Sequence, residues 1–374
     1  MDGGIDLIKA VDQKIEKVRT RSLDLSFNEL LDMYENQELV IDPEYQRLFR
    51  WSEGSQSRFI ESLLLEMPVP PIFVIERSEG VYELIDGLQR ISSYLHFRGK
   101  HPLRTNENGS LHHLVLSDCD IVEELNGISY ENLPKPLEIK LKRNFIRVEI
   151  LRKESDQRLR YYMFKRLNTG GEKLSAQEIR NCTIRLLNDD FNKFIMQMSN
   201  NPDFKQCISN ISDDKKEQKY DQELVLRYFA YKNYRAKYVH DVGDFITEYM
   251  EDVSDPQKTE VMFNYEDEKL NFEKTFKLLN RVLGEYVFSG TNDKGNLINR
   301  FLTYHYEAFS IGIQPYLEKI DVEDSDMIDR LRKAFTEIKN DKEFKRITTG
   351  GGKNYSSPLN NRIDFVSRKV AAQL

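Results

Sequence analysis

The feature that most constrains this chain is a change of hydrophobic period near Glu154. Ahead of it, short runs rich in Val, Ile, Phe and Tyr alternate with helical stretches. Beyond it, apolar residues recur almost wholly at the three- and four-residue spacing of α-helices. The strand candidates, residues 38–41, 72–76, 81–85 and 146–151, all lie in the first part. A chain of 374 residues divided in this way is expected to fold as an α+β protein. It comprises a small mixed αβ domain over 1–153 and an all-helical domain over 154–374.

Local signals refine this outline. Ser52 is placed to cap a helix whose residues Phe59, Ile60, Leu63, Leu64 and Met67 share one face. Pro68, Pro70 and Pro71 then stop it. Residues 99–111 read as a surface excursion. Asp156 is placed to cap a helix carrying Leu159, Tyr162, Met163 and Leu167, which breaks at 168–171. Ser175 followed by Glu178 is a capping box for the next helix. Helical patterns then cover 223–234, 242–250, 267–283, 296–314 and 327–339. The charged stretches 213–219 and 252–258 read as exposed connections.

Composition excludes several classes. Acidic residues number 62 and basic residues 55, a net charge of −7, so a general cationic coat for DNA is ruled out while a local basic groove is not. The apolar fraction of 39% suffices for a core. No apolar run approaches the roughly 20 residues of a membrane helix, and the acidic start lacks a signal-peptide plan. Cys119, Cys182 and Cys207 have no metal-ligand spacing. The expectation is a soluble, reduced, cytoplasmic protein with no membrane partner.

Three motifs can carry chemistry. In the first, a strand ends at Ile85, Asp86-Gly87 makes a tight turn and a helix begins near Leu88, with Ile91, Tyr94 and Leu95 as its apolar face and Gly99 as its stop. Such a turn aims free N–H groups at an anion, with Arg90 in the first helical turn to pair with phosphate and Asp86 to hold a metal ion or orient water. The alternative is a plain Asp-Gly turn with a surface arginine. In the second, Pro43 keeps the chain extended so that Tyr45 and Arg47 share a face and Gln46 takes the other. Arg47 and Arg50 then suit phosphates, and Tyr45 or Trp51 suits base stacking; alternatively Phe49 and Trp51 are core and the arginines are solvated. In the third, the Gly170-Gly171 loop lies among Lys165, Arg166 and Lys173, able to wrap phosphate while Asn168 ligates Mg²⁺, or simply to link two helices.

Taken together, these motifs resemble the N-terminal domain family of GmrSD-type restriction endonucleases, within the broader ParB/sulfiredoxin-like superfamily. The resemblance rests on Tyr45-Gln46-Arg47 with Trp51, the Phe59-to-Leu64 run leaving through Pro68 and Pro70, Asp86-Gly87-Leu88-Gln89-Arg90, and Leu167-Asn168-Thr169-Gly170-Gly171 followed by Leu174-Ser175 and Glu178. These elements occur in family order over roughly 40–182. The resemblance implies a ParB-like nucleotide-binding domain taking a nucleoside triphosphate (GTP, ATP or CTP) with Mg²⁺. Tyr45, Gln46, Arg47, Gly87, Arg90, Asn168, Thr169 and Gly170 would bind nucleotide, Asp86 and Asn168 the metal, and Asp86, Gln89 and Arg90 would support hydrolysis. The family motif usually has Gln where this chain has Leu88, a departure that bears on turnover.

The implied role is an NTP-binding, slowly hydrolysing sensor or effector subunit of a prokaryotic anti-phage, DNA-restricting defence system. Its partners would be DNA and a nuclease or other defence subunit, with self-association left open. The rivals are a ParB-like nucleotide-switched binding module without turnover and a DNA nuclease. For the last, the six histidines form no HNH pattern, and Glu138-x-Lys140 is matched by Glu337-x-Lys339 and Glu343-x-Lys345 as a chance pairing. The stretch 348–354 fails as a P-loop because Ile347 and Asn354 stand where Gly and Ser or Thr are needed. It reads as a glycine loop before the last helix, with Lys353 and Arg362 nearby in sequence.

Overall fold

The computed structural model describes residues 19–41, 49–101, 113–155, 162–163, 175–185, 187–258 and 261–374, with the side chain of Cys182 excepted. The chain divides into two compact units, 1–173 and 174–374, whereas the change of period falls at 153/154.

The first unit is built on a five-stranded mixed sheet in the order β1-β5-β3-β4-β2, formed by β1 (Thr20–Ser26), β2 (Leu39–Val40), β3 (Ile72–Ser78), β4 (Val81–Asp86) and β5 (Phe145–Leu151). The alternation in β5 buries Ile146, Val148 and Ile150, and β3 and β4 add Ile72, Val74, Ile75, Leu84 and Ile85 to the core. Strand β1 lies outside the four expected runs. Its sequence carries only two apolar residues, and its conformation comes from pairing antiparallel with β5, where Asp24 sits opposite Arg147 at 3.0 Å.

Helices α1 (Phe27–Glu35), α2 (Glu53–Leu64), α3 (Leu88–Phe97) and α4 (Lys135–Arg143) complete this unit. Ser52 caps α2 by accepting from the Ser55 N–H. The helix stops at Leu64, a turn before the prolines, because Glu66 takes a left-handed conformation with φ of 57°. Met67, expected on the apolar face, therefore lies beyond the helix and is 41% exposed. Inside the same helix Glu61 is buried and accepts the N–H groups of Ile121 (3.1 Å) and Val122 (2.7 Å), which ties down the long connection to α4.

The second unit is mostly helical: α5 (Ala176–Ile184), α6 (Asp190–Ser199), α7 (Pro202–Cys207), α8 (Asp213–Glu217), α9 (Tyr220–Asn233), α10 (Val242–Ser254) and α11 (Tyr265–Leu283). A hairpin of β6 (Ser289–Thr291) and β7 (Leu297–Phe301) follows, then α12 (Thr303–Gly312), α13 (Ser325–Asn340), α14 (Lys342–Thr348) and α15 (Ser356–Ala371). The capping box of Ser175 and Glu178 forms as expected. Two readings are corrected. The pattern over 296–314 is not one helix, because Gly295 with φ of 81° turns the chain back and 297–301 pairs as β7. The stretch 252–258 is not an exposed connection at its start: Asp252 is buried at the end of α10, bonded to Tyr234 and to Lys258. In 213–219, the short helix α8 forms.

Two thiols lie in this framework. Cys119 is pushed up to about 11 by burial and then by Glu61. Cys207, bonded through Sγ to the Phe276 carbonyl, is raised well above its ordinary value by burial. Since the thiolate is the nucleophile, neither should react with iodoacetamide at pH 8 in the native protein, and both should react after guanidinium unfolding. Peptide mass spectrometry reads this directly; rapid native labelling at Cys119 would contradict it.

Candidate functional site

The site starts from a turn that only glycine can make. Strand β4 ends at Asp86, Gly87 adopts φ of 103°, and α3 begins at Leu88. A Cβ on Gly87 would lie 2.3 Å from Cγ2 of Ile72 on the neighbouring strand. Both the left-handed backbone and the close approach exclude a side chain here. Gly87→Ala should therefore destabilise the first unit by roughly 2 kcal/mol or more, combining left-handed strain with overpacking. A drop in the Trp51 fluorescence unfolding midpoint would measure it, and an unchanged midpoint would rule out both constraints.

Gly87 carries no side chain to cap α3, so no N-cap side-chain bond closes the start of this helix. Arg90, one turn into the helix, donates from Nη2 to Asp86 Oδ2 at 2.8 Å and from Nη1 to the carbonyls of Pro70 (2.5 Å) and Pro71 (2.9 Å). Its side chain is 13% exposed and that of Asp86 30%. The arginine thus links the proline exit of α2 to the Asp-Gly turn. Gln89 Oε1 accepts the backbone N–H groups of Arg50 (3.0 Å) and Trp51 (3.1 Å). This brings the second motif against the first, although 38 residues separate Gln89 from Trp51 in sequence.

A buried polar chain supports that junction. Gln56 donates from Nε2 to the Trp51 carbonyl at 2.7 Å, and its Oε1 lies 2.8 Å from His96 Nδ1. Gln56 and His96 are fully buried. Neither was a candidate in sequence, because an isolated Gln and His forty residues apart carry no local pattern. Phe49 is core, Trp51 is half-buried against Phe59, and Arg50 is exposed. Leu88 is 4% exposed, so the position where the family usually has Gln points into the core.

The structure therefore unites Asp86, Gly87, Gln89 and Arg90 with the backbone of Arg50 and Trp51. Tyr45, Gln46, Arg47, Asn168, Thr169 and Gly170 lie outside the described residues, as does the expected cap Asp156. No cluster of three or more His, Cys, Asp or Glu side chains suited to a metal occurs among the described residues. Asp86 alone fits the mode in which Mg²⁺ takes one carboxylate and completes its shell with phosphate oxygens and water. No helix of the described residues is long and apolar enough to cross a membrane.

Residues 27–185 match the family model described as GmrSD restriction endonuclease, N-terminal domain. This stretch is a GmrSD N-terminal domain. The match spans β2 to β5 and α1 to α5, and so includes both motifs joined by Gln89. Membership points to a part in restriction, a defence function. No curated protein and no solved structure matches the chain.

Proposed function

We propose that the GmrSD N-terminal domain binds a nucleoside triphosphate with Mg²⁺ above the Asp86-Gly87 turn and hydrolyses it slowly. In this reading the protein is the sensor or effector subunit of a cytoplasmic DNA-restriction system, working with DNA and a partner nuclease or defence subunit. The observation that carries it is the glycine-headed start of α3, flanked by Asp86 and Arg90 and joined through Gln89 to Arg50 and Trp51. The positive end of a helix favours phosphate, and the Arg90 N–H groups not taken by Pro70, Pro71 and Asp86 add charge-assisted bonds. The family resemblance adds Tyr45, Gln46, Arg47, Asn168, Thr169 and Gly170 as further nucleotide-binding residues. A bound Mg²⁺ would neutralise triphosphate charge and polarise the terminal phosphoryl group. Asp86 would hold it while Arg90 keeps the carboxylate oriented.

Arg90→Ala should weaken triphosphate binding by about 1.5–3 kcal/mol, the worth of a hydrogen bond to a charged group. Arg90→Lys should recover only part of it, since lysine lacks the fork. Calorimetry with GTP, ATP and CTP tests the proposal, and unaltered affinity in a folded Arg90→Ala protein removes this residue from the site. One observation favours a second reading, a nucleotide-switched binding module without turnover. Leu88 is buried and Gln89 Oε1 already accepts two backbone bonds, so neither position presents an acceptor oxygen to an attacking water.

A further inference from the structure

We infer that the helical unit holds a second anion site, which takes the phosphate of a nucleotide-sized ligand. The site is a cavity of 740 Å³ formed wholly within this unit, between the β6–β7 hairpin, the start of α12 and the loop after α14. Its size falls within the range of small-ligand pockets.

Three independent features converge on an anion. The first is charge. The protein carries −7 overall, yet the cavity is lined by Arg227, Arg300, Lys339 and Lys345 against the single carboxylate of Asp293. Arg227 is answered by Glu223 (2.8 Å) and Glu307 (3.4 Å), and Glu307 also binds Arg362 (2.5 Å). Arg300 and Lys345 have no carboxylate partner among the described residues. Lys339 is buried, which pushes its ammonium well below the usual range, and it spends its donors on the carbonyls of Tyr286 (3.0 Å), Val287 (2.9 Å) and Ser289 (2.5 Å), so Arg300 and Lys345 are the cations open to a ligand. Cations left without carboxylates at one concave surface make a positive potential that attracts anions.

The second feature is the start of α12. Leu302, Thr303, Tyr304 and His305 all line the cavity, and the N-cap residue Leu302 makes no side-chain capping bond to this ten-residue helix. The N–H groups of His305 and Tyr306 turn back to the Leu302 carbonyl, which leaves those of Thr303 and Tyr304 without an acceptor among the described residues. Free N–H groups at the positive end of a helix complement phosphate oxygens.

The third feature is the glycine loop that fails as a P-loop. Thr348, Thr349 and Gly350 form part of the wall, and a Cβ on Gly350 would meet nothing within 4 Å. A loop backbone open on that side can approach a bulky anion closely. Aromatic side chains in the wall suit a planar ring: Phe301 stands edge-on to Tyr220 at 6.4 Å, and Arg362 lies over the Tyr304 ring at 4.4 Å. His305 is 3% exposed and anchored through Nδ1 to the Ser289 carbonyl at 3.0 Å, with burial and then Lys339 holding its pKa well below the usual range. A neutral His305 donating from Nδ1 keeps Nε2 as an acceptor for a sugar hydroxyl or a base N–H. Phosphate, a ring and a polar edge together define the nucleotide-sized ligand.

The chemistry is shared by a free mononucleotide and by a nucleotide of a nucleic acid strand. The full chain, its Arg300→Ala/Lys345→Ala variant and its Arg90→Ala variant should be titrated with inorganic phosphate, AMP and a short 5′-phosphorylated single strand. Because Arg300 and Lys345 are not core residues, the double variant should keep the wild-type melting temperature. It should bind AMP about tenfold or more weakly, as two contacts to a charged group are lost. Arg90→Ala should retain this binding, which separates the cavity from the nucleotide site of the first unit. Tighter binding of the strand than of AMP would identify a nucleic acid as the source, and binding of AMP alone a free nucleotide. Equal AMP affinity in wild type and double variant, loss of binding in Arg90→Ala alone, or no binding of any probe would overturn the inference.

Discussion

Glu307→Ala is expected to destabilise the helical unit by about 3–5 kcal/mol, the cost of stripping one partner from a buried ionic group. Glu307 is 1% exposed on α12 and faces two guanidinium groups: Arg362 of α15 at 2.5 Å and Arg227 of α9 at 3.4 Å. Tyr231 adds a hydroxyl at 3.5 Å. Arg227 retains Glu223, but Arg362 is equally buried and among the described residues would keep the Lys353 carbonyl at 3.3 Å and the ring of Tyr304. An unpaired charge in that environment cannot be answered by water without opening the junction of α9, α12 and α15. The protein has one tryptophan, Trp51, which lies in the first unit. Its fluorescence should report an unchanged transition, while far-ultraviolet circular dichroism in urea shows the helical transition at a lower midpoint. A shift worth less than about 1 kcal/mol would mean that the pair contributes little beyond its own desolvation.

The way this ionic group is assembled explains what a linear reading can find. Features whose partners lie within one turn were legible: the Ser175–Glu178 capping box, the Ser52 cap, the Asp86-Gly87 turn and the start of α3. Features that depend on distant partners were not. Strand β1 has no apolar run of its own and exists because β5 lies beside it. The helix expected over 296–314 begins only at Thr303, because periodicity cannot register the Gly295 turn that folds β7 back. Met67 continues the apolar spacing of α2, but the left-handed Glu66 ends the helix before it.

The site divides along the same line. Asp86, Gly87 and Arg90 are within five residues of one another, so their geometry follows from a strand, a turn and one helical turn. The resemblance makes Gln89 a residue that supports hydrolysis, and in the fold its Oε1 holds the backbone of Arg50 and Trp51. Leu88 stands where the family usually has Gln, and its side chain faces the core. An amide placed there would be buried at a cost of about 1–3 kcal/mol unless it found a partner. Side-chain direction at the start of α3, which motif spacing does not contain, decides both roles.

That division sharpens the expectation for turnover. With Leu88 in the core and Gln89 bound to backbone, Asp86 is the remaining acidic group at the turn, half-buried and accepting from Arg90 through Oδ2. Asp86→Ala is therefore expected to lower Mg²⁺-dependent phosphate release by about a hundredfold or more, the scale of losing one preorganised electrostatic group in a site. Nucleotide binding should fall much less, since the α3 N–H groups and Arg90 persist and the carboxylate itself repels a bare triphosphate. Arg90 should keep its place, because the Pro70 and Pro71 carbonyls hold it independently of Asp86. Phosphate release by wild type and Asp86→Ala, with and without DNA, separates the readings. Equal release would make Asp86 a turn residue that merely positions Arg90, and undetectable release from wild type would favour a nucleotide switch without turnover. Asp86→Asn completes the test: it preserves the side-chain length and a bond from Arg90 but removes the charge that a metal ion needs. If the carboxylate acts through Mg²⁺, Asp86→Asn should be as inactive as Asp86→Ala while melting at the wild-type temperature.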